Sequence, residues 1–142
     1  MGTTRTARTS WQGSLKEGAG KVSLESSGLG TYDVSWPART EEPNGKTSPE
    51  ELIAAAHTAC FSMALSGALS KADTPPQALD TSAVVTFQAG EGITEIHLSV
   101  VGRVEGISEE DFVAAAEGAK KNCPVSQALA GVKSITLDAS LG

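Results

Sequence analysis

Two cysteines and two histidines supply the thiol and imidazole chemistry of this 142-residue chain. Cys60 lies inside a long apolar segment, with His57 three residues before it, whereas Cys123 directly precedes a proline. A thiolate is a nucleophile, and two thiols that meet in the fold can be oxidised reversibly to a disulfide. The cysteines therefore indicate redox chemistry, although cysteine is also common as a small buried apolar residue.

The local sequence favours Cys123 as the more reactive thiol. Pro124 is typical of the first position of a helix, so Cys123 is predicted at or near an N-cap, where the helix dipole lowers the pKa of a thiol. Cys60 is predicted in mid-helix, with no lysine or arginine within two turns. A cation that holds its thiolate must come from elsewhere in the fold, and arginine suits that role because it stays charged when buried. The residues alone leave open which thiol reacts first.

A zinc site is another possible role for these side chains. His57 and Cys60 have a spacing that zinc ligands use, but the two remaining candidates, His97 and Cys123, form no close pair in the sequence. No metal is therefore predicted; His57 is expected to pack against a neighbouring element and His97 to lie at the surface. The sequence has no glycine-rich phosphate loop after a strand and no G-x-S-x-G elbow, so we predict no cofactor and no serine hydrolase.

Composition and charge limit the classes of partner that the protein is expected to bind. The formal net charge of −6 predicts an acidic surface, which repels nucleic-acid phosphates and anionic lipids. Aromatic residues make up only 4% of the chain, so a core of small side chains is expected to be shared between the chains of an oligomer. Residues 1–13 are polar, which predicts a cytoplasmic protein with reduced thiols rather than an exported one.

The segment 52–69 carries no formal charge and approaches the length of a membrane span. It contains six alanines together with serine, threonine and histidine, so its apolarity is too low for membrane insertion. A helix that is weakly apolar all round is instead predicted to be buried in protein, and no membrane partner is expected.

Local patterns predict an α+β fold in a single domain over residues 1–142. Ser48-Pro49-Glu50-Glu51 combines an N-cap serine, a proline at the first helical position and a capping-box glutamate, which predicts a helix from Ser48 to about Lys71. A second helix is predicted from Ser108 to the lysines at 120 and 121. The other predicted elements are strands over 7–13, 20–25, 32–36, 83–88, 93–104 and 132–139, with a loop over 36–45.

Two segments of the sequence closely resemble the OsmC family of osmotically inducible peroxidases, which are related to the organic hydroperoxide resistance proteins. They are SPEELIAAAHTACFSMAL at 48–65 and NCPVSQAL at 122–129, and SWQGSLKEGAGKVSLES at 10–26 extends the likeness over nearly the whole chain. The H-T-A-C-F-S-M sequence and the stretch before Arg39 are similar to the OsmC branch. The resemblance implies an α+β homodimer of intertwined chains, with antiparallel strands around a long buried central helix and two active sites at the interface.

The resemblance also implies roles for four residues. Cys60 matches the peroxidatic cysteine and Cys123 the resolving one, while Arg39 matches the activating arginine and Glu50 its acidic partner. Such an enzyme reduces an organic hydroperoxide to an alcohol through a Cys60 sulfenic acid and a disulfide with Cys123. An external dithiol or thiol reductase then restores the thiols. The expected apolar wall for the organic substrate consists of Leu52, Phe61 and Met63.

The spacing of Glu50 and Cys60 constrains this site. Ten residues of straight helix separate them by about 15 Å along the axis, so Glu50 cannot reach the thiol of its own helix. Either the helix breaks after its first turn, or the Arg39–Glu50 pair meets Cys60 from the other subunit; we predict that the dimer interface completes the site. The competing hypothesis is a non-catalytic dimer that binds a hydrophobic small molecule.

Overall fold

The computed structural model describes residues 2–142, which form six strands and four helices. The predicted α+β class is confirmed. Two compact units divide the chain, one ending at Leu52 and the other comprising Ile53–Gly142, so that the single domain over 1–142 stays a prediction. The elements are β1 (Arg8–Gln12), β2 (Ala19–Ser23), β3 (Thr31–Val34), α1 (Trp36–Thr40), α2 (Pro49–Lys71), β4 (Ala78–Gln88), β5 (Gly92–Arg103), α3 (Glu109–Asn122), α4 (Pro124–Ala128) and β6 (Ser134–Leu141).

The first unit is an antiparallel sheet in the order β1-β2-β3, followed by the short helix α1. The prediction of a loop over 36–45 is wrong for its first half. Ser35 is an N-cap whose hydroxyl accepts a hydrogen bond from the Ala38 backbone N–H, and Pro37 occupies the first turn, where its missing N–H costs nothing. These two residues start a helix in a segment whose other proline, Pro43, and glycine, Gly45, favour turns.

The second unit contains a sheet in the order β4-β5-β6. Strands β4 and β5 form the predicted antiparallel hairpin, whereas β6 pairs with β5 in parallel, so the predicted antiparallel arrangement does not extend to this strand. The reason lies in the connection: α3 and α4 carry the chain back to the start of the sheet, and such a crossover produces a parallel pair.

One hydrophobic cluster joins α2, β5 and α3 in this unit. Its residues recur every three or four positions on the helices and every second position on the strand, as expected for faces that pack together. Gly102 has no room for a side chain, because a methyl group there would overlap the ring of Phe112. The buried members are Phe61, Leu65, Leu69, Ile96, Leu98, Val100, Phe112, Ala116, Ala119 and Cys123.

Helix α2 begins as predicted. The Ser48 hydroxyl accepts from the Glu51 backbone N–H, while the Glu51 carboxylate accepts from the Thr47 hydroxyl instead of closing a capping box. The helix is long and apolar enough to cross a membrane by length and composition, and only 22% of its apolar window is buried within the chain. Met63, for example, is 74% exposed.

Candidate active site

The two cysteines come together at the edge of the cluster in the second unit. Cys60 projects from the middle of α2 and is partly buried, whereas Cys123 ends α3, precedes α4 as its N-cap and is fully buried. Both thiols are free, and they lie close enough for each to shift the pKa of the other. The structure therefore brings together two residues that lie 63 positions apart in the sequence and places no disulfide between them.

The surroundings shift the pKa values of the two thiols in opposite directions. Burial, followed by the hydrogen bond to Cys123, raises the pKa of Cys60, and the Val125 backbone N–H only partly offsets this. Burial also raises the pKa of Cys123, but hydrogen bonding from Cys60, from the backbone and side chain of Ser126 and from the Val125 N–H outweighs it, so that the net shift is downward. Within one chain, Cys123 is thus the more acidic thiol, in agreement with its predicted position at a helix start.

A buried histidine lies beside this pair. His57 is fully buried, and its Nε2 lies 2.7 Å from the Ser126 hydroxyl oxygen, which links α2 to α4 across 69 positions of sequence. The expected packing of His57 against a neighbouring element is confirmed. Burial lowers the pKa of His57, because charge is disfavoured away from water.

The first unit holds the Arg39–Glu50 pair. Arg39 Nε donates to both oxygens of Glu50, at 3.0 and 3.1 Å, and Nη2 donates to Oε2 at 2.8 Å. Glu50 is buried, and the Arg39 guanidinium also lies over the ring of Trp36, 5.8 Å from its centroid. Helix α1 presents the arginine and the first turn of α2 presents the carboxylate, so each side chain is positioned by a different element.

An apolar cavity of about 300 Å³ in the same unit reaches Arg39. The three residues of the predicted substrate wall do not meet at this cavity, and the wall stays a prediction. Leu52 lines this cavity, but Phe61 is fully buried in the core of the second unit, and Met63 points outward two residues later on the helix. The main apolar residues around the cavity are Trp11, Leu15, Val22, Val34, Trp36 and Leu52.

His97, the remaining candidate ligand of the rejected zinc site, has other partners. Its Nδ1 lies 2.6 Å from the Thr136 hydroxyl and its Nε2 lies 3.1 Å from an Asp138 carboxylate oxygen, across the β5–β6 pair. Over residues 2–142, no group of three or more histidine, cysteine or acidic side chains is arranged to hold a metal ion.

Sequence reasoning missed Ser126 and Trp36. Ser126 stands within the NCPVSQAL segment, three positions after Cys123 at the start of a helix, where serine commonly binds backbone or nearby polar groups. Trp36 follows the N-cap serine of α1, and that serine was the local signal that could have placed it on a helix. The partner of Ser126, His57, is 69 positions away, so only folding reveals that contact, whereas Trp36 meets Arg39 within the same short helix.

The fold and the site define an α+β protein with a paired, reduced dithiol in its second unit. The family described as OsmC-like protein matches residues 42–138. Peroxiredoxin OsmC of Escherichia coli (strain K12) is 45% identical over 134 residues, which are 92% of each chain. An organic hydroperoxide resistance protein from Elizabethkingia anophelis superposes with a TM-score of 0.73 at 25% identity over 100% of both chains. The chain belongs to the OsmC family.

A further solved structure supports the fold. The organic hydroperoxide resistance protein OsmC from Legionella pneumophila has a TM-score of 0.72 and 22% identity, covering 98% of this chain and 99% of that one. At this level of identity the likeness concerns the arrangement of strands and helices. The family that the sequence motifs predicted is confirmed by the family match and by the 45% identical relative.

Proposed function

We propose that the protein is a thiol peroxidase that reduces organic hydroperoxides to alcohols, with Cys60 as the peroxidatic and Cys123 as the resolving cysteine. The observation that carries the proposal is the proximity of the two free thiols, each of which shifts the pKa of the other. The name peroxiredoxin OsmC of the 45% identical relative supports a peroxidase-type redox role. The proposal includes a cytoplasmic location, where thiol reductases supply electrons.

The chemistry balances with the residues present. The Cys60 thiolate attacks one oxygen of R–O–O–H, the O–O bond breaks, and the products are a Cys60 sulfenic acid and, after protonation, the alcohol. The Cys123 sulfur then attacks the Cys60 sulfur, forming the disulfide and releasing water. An external dithiol or thiol reductase returns two electrons and two protons, so that no cofactor is needed in the protein.

Ionisation of the Cys60 thiol at neutral pH requires a nearby cation. Its pKa is raised within one chain, so a positive charge must approach to hold the thiolate at neutral pH. Helix α2 is unbroken from Pro49 to Lys71, which supports the second of the two predicted routes. In the proposed homodimer, Arg39 of the partner subunit, oriented by its own Glu50, approaches Cys60 and stabilises the charge on the leaving oxygen.

The exposed face of α2 supports dimerisation. Small and apolar residues are exposed along one side of this helix, and few charged residues accompany them. A second copy of the same helix would cover them, since small residues allow two helix backbones to approach closely. The exposed members are Ala55, Ala56, Ala59, Met63, Gly67 and Ala68.

Peroxide consumption and thiol counting test the proposal. Wild-type protein should consume cumene hydroperoxide, lose both thiols and show an intrachain Cys60–Cys123 disulfide by mass spectrometry. Cys60→Ser should consume none, whereas Cys123→Ser should form a sulfenic acid that dimedone traps. Full turnover by Cys60→Ser would overturn the assignment of roles. Ser66→Ala, a polar change on the same helix, serves as the matched control.

The second candidate function is non-catalytic binding of a hydrophobic small molecule. The apolar cavity of about 300 Å³ in the first unit favours it, because such a volume lined by two tryptophans and aliphatic side chains suits a small apolar ligand. The two functions differ in one measurement. A binder would lose no thiols on exposure to hydroperoxide, and Cys60→Ser would leave its ligand affinity unchanged.

A further inference from the structure

His57 is held in an arrangement that packing alone does not explain. The side chain is fully buried, and only Nε2 has a partner, the Ser126 hydroxyl at 2.7 Å. Among residues 2–142, Nδ1 of His57 is the buried side-chain nitrogen or oxygen atom without a hydrogen-bond partner. Leaving a buried polar atom unsatisfied is unfavourable, and an apolar residue would avoid it. The hydrogen bond that the imidazole makes at Nε2 therefore has a role whose benefit offsets the cost of the unsatisfied Nδ1.

The unsatisfied Nδ1 determines which nitrogen carries the proton. A buried N–H without an acceptor is rarer in proteins than a bare acceptor atom, so the proton belongs on Nε2. Nε2–H then donates to the Ser126 oxygen. The Ser126 oxygen then accepts this hydrogen bond, and the hydroxyl's own proton is free to point elsewhere. Ser126 lies in the first turn of α4, three residues after Cys123 at its N-cap, and its side chain lowers the pKa of Cys123.

We propose that His57 is a positioning residue for the resolving cysteine: through Ser126 it orients a hydroxyl proton toward the Cys123 sulfur and holds the thiolate for attack on Cys60. The inference rests on the proposed function. In the step concerned, the Cys123 thiolate attacks the sulfur of the Cys60 sulfenic acid, the S–S bond forms and the S–O bond breaks. The leaving hydroxide takes up the proton that Cys123 released on ionising, which gives water.

The influence of His57 is directed at one cysteine. Ser126 contributes to the Cys123 environment through both its backbone and its side chain. The groups that act on Cys60 are the surrounding burial, Cys123 and the Val125 N–H. Loss of His57 should therefore slow disulfide formation and spare the first attack on peroxide, a division that general loss of structure would not produce.

Single-turnover kinetics with cumene hydroperoxide separate the two steps. In His57→Phe and Ser126→Ala, sulfenic acid formation should stay within about twofold of wild type, while its conversion to the disulfide slows by about tenfold to a hundredfold, the worth of a hydrogen bond to a charged group. His57→Gln, whose amide can donate to Ser126, should recover part of the rate. His97→Gln is the matched control and should behave as wild type.

A thiol titration gives a second, peroxide-free readout. In a Cys60→Ser background, His57→Phe and Ser126→Ala should both raise the pKa of Cys123, and His57→Gln should raise it less. Equal slowing of both kinetic steps, or an unchanged Cys123 titration in folded Ser126→Ala, would overturn the inference. Because the titration needs no peroxide, failure of the wild type to consume hydroperoxide would count against the proposed function alone.

Discussion

Arg39 binds both carboxylate oxygens of Glu50 through Nε and Nη2, with N···O distances of 2.8 to 3.1 Å. Glu50 is buried, so its negative charge depends on this partner. The two-point contact also fixes the plane of the guanidinium, which a lysine ammonium could not reproduce. The pair is therefore a rigid, oriented cation of the kind that the proposed peroxidase mechanism needs.

Removing the arginine should affect both stability and activity. Arg39→Met leaves a buried, unpaired carboxylate and should lower the free energy of unfolding by about 3 kcal/mol, measured by urea denaturation. Peroxide reduction should fall by at least about a hundredfold, because the cation proposed to stabilise the leaving oxygen is lost. Arg8→Met is the matched control: its ion pair with Glu25 is exposed, so stability should change little. Equal behaviour of the two variants would contradict the assignment.

The contact between the cysteines should be visible in their titration. In Cys60→Ala, Cys123 loses a hydrogen-bond donor and its pKa should rise, whereas Cys60→Ser keeps a donor and should preserve more of the lowered pKa. In Cys123→Ala, the pKa of Cys60 should fall in part, because burial, the largest cause of its raised value, remains while the contribution of Cys123 is lost. Each variant keeps a single cysteine, so the ultraviolet absorbance of the thiolate as a function of pH gives the pKa of that residue. Identical Cys123 titrations in Cys60→Ala and Cys60→Ser would argue against the hydrogen bond.

Burial of His57 should make stability depend on pH. Folding lowers the pKa of His57 from its ordinary value of 6.5. Below pH 6.5 the unfolded chain therefore binds a proton at this imidazole that the folded chain does not bind. Stability should thus fall as the pH drops below about 6.5, with a limiting slope of about 1.4 kcal/mol per pH unit from this group. Urea unfolding at several pH values should show a shallower dependence in His57→Gln than in His97→Gln, which keeps His57. The same slope in both variants would be inconsistent with a buried, neutral His57.

The exposed side of α2 should control assembly. Met63→Glu places a charge on the face proposed to meet a second copy, so the dimer dissociation constant should rise by at least about a hundredfold. Sedimentation velocity over a range of concentrations measures this change. Val84→Glu alters another exposed apolar residue, on strand β4, and should leave assembly intact. A Met63→Glu protein that sediments as the wild type would exclude this face, and dimer-dependent completion of the site with it.

Local signals in the sequence predicted most of the elements. The cap at Ser48 with Pro49, the turn between β4 and β5 and the cap at Ser108 depend on neighbours within a few residues, and each of these elements forms where it was predicted. Helix α1 was missed because the turn-forming residues after it outweighed the cap at Ser35. The parallel pairing of β6 depends on a crossover of two helices, which no local pattern encodes.

The sequence by itself determined the family, the α+β class and the candidate thiols, because these depend on residue types in order along the chain. Tertiary structure decided which groups meet. The effects of Cys60 and Cys123 on each other's pKa, and the hydrogen bond between His57 and Ser126, arise from contacts between residues more than 60 positions apart. Electrostatic and hydrogen-bond energies depend on distance and burial, and the folded chain alone sets both.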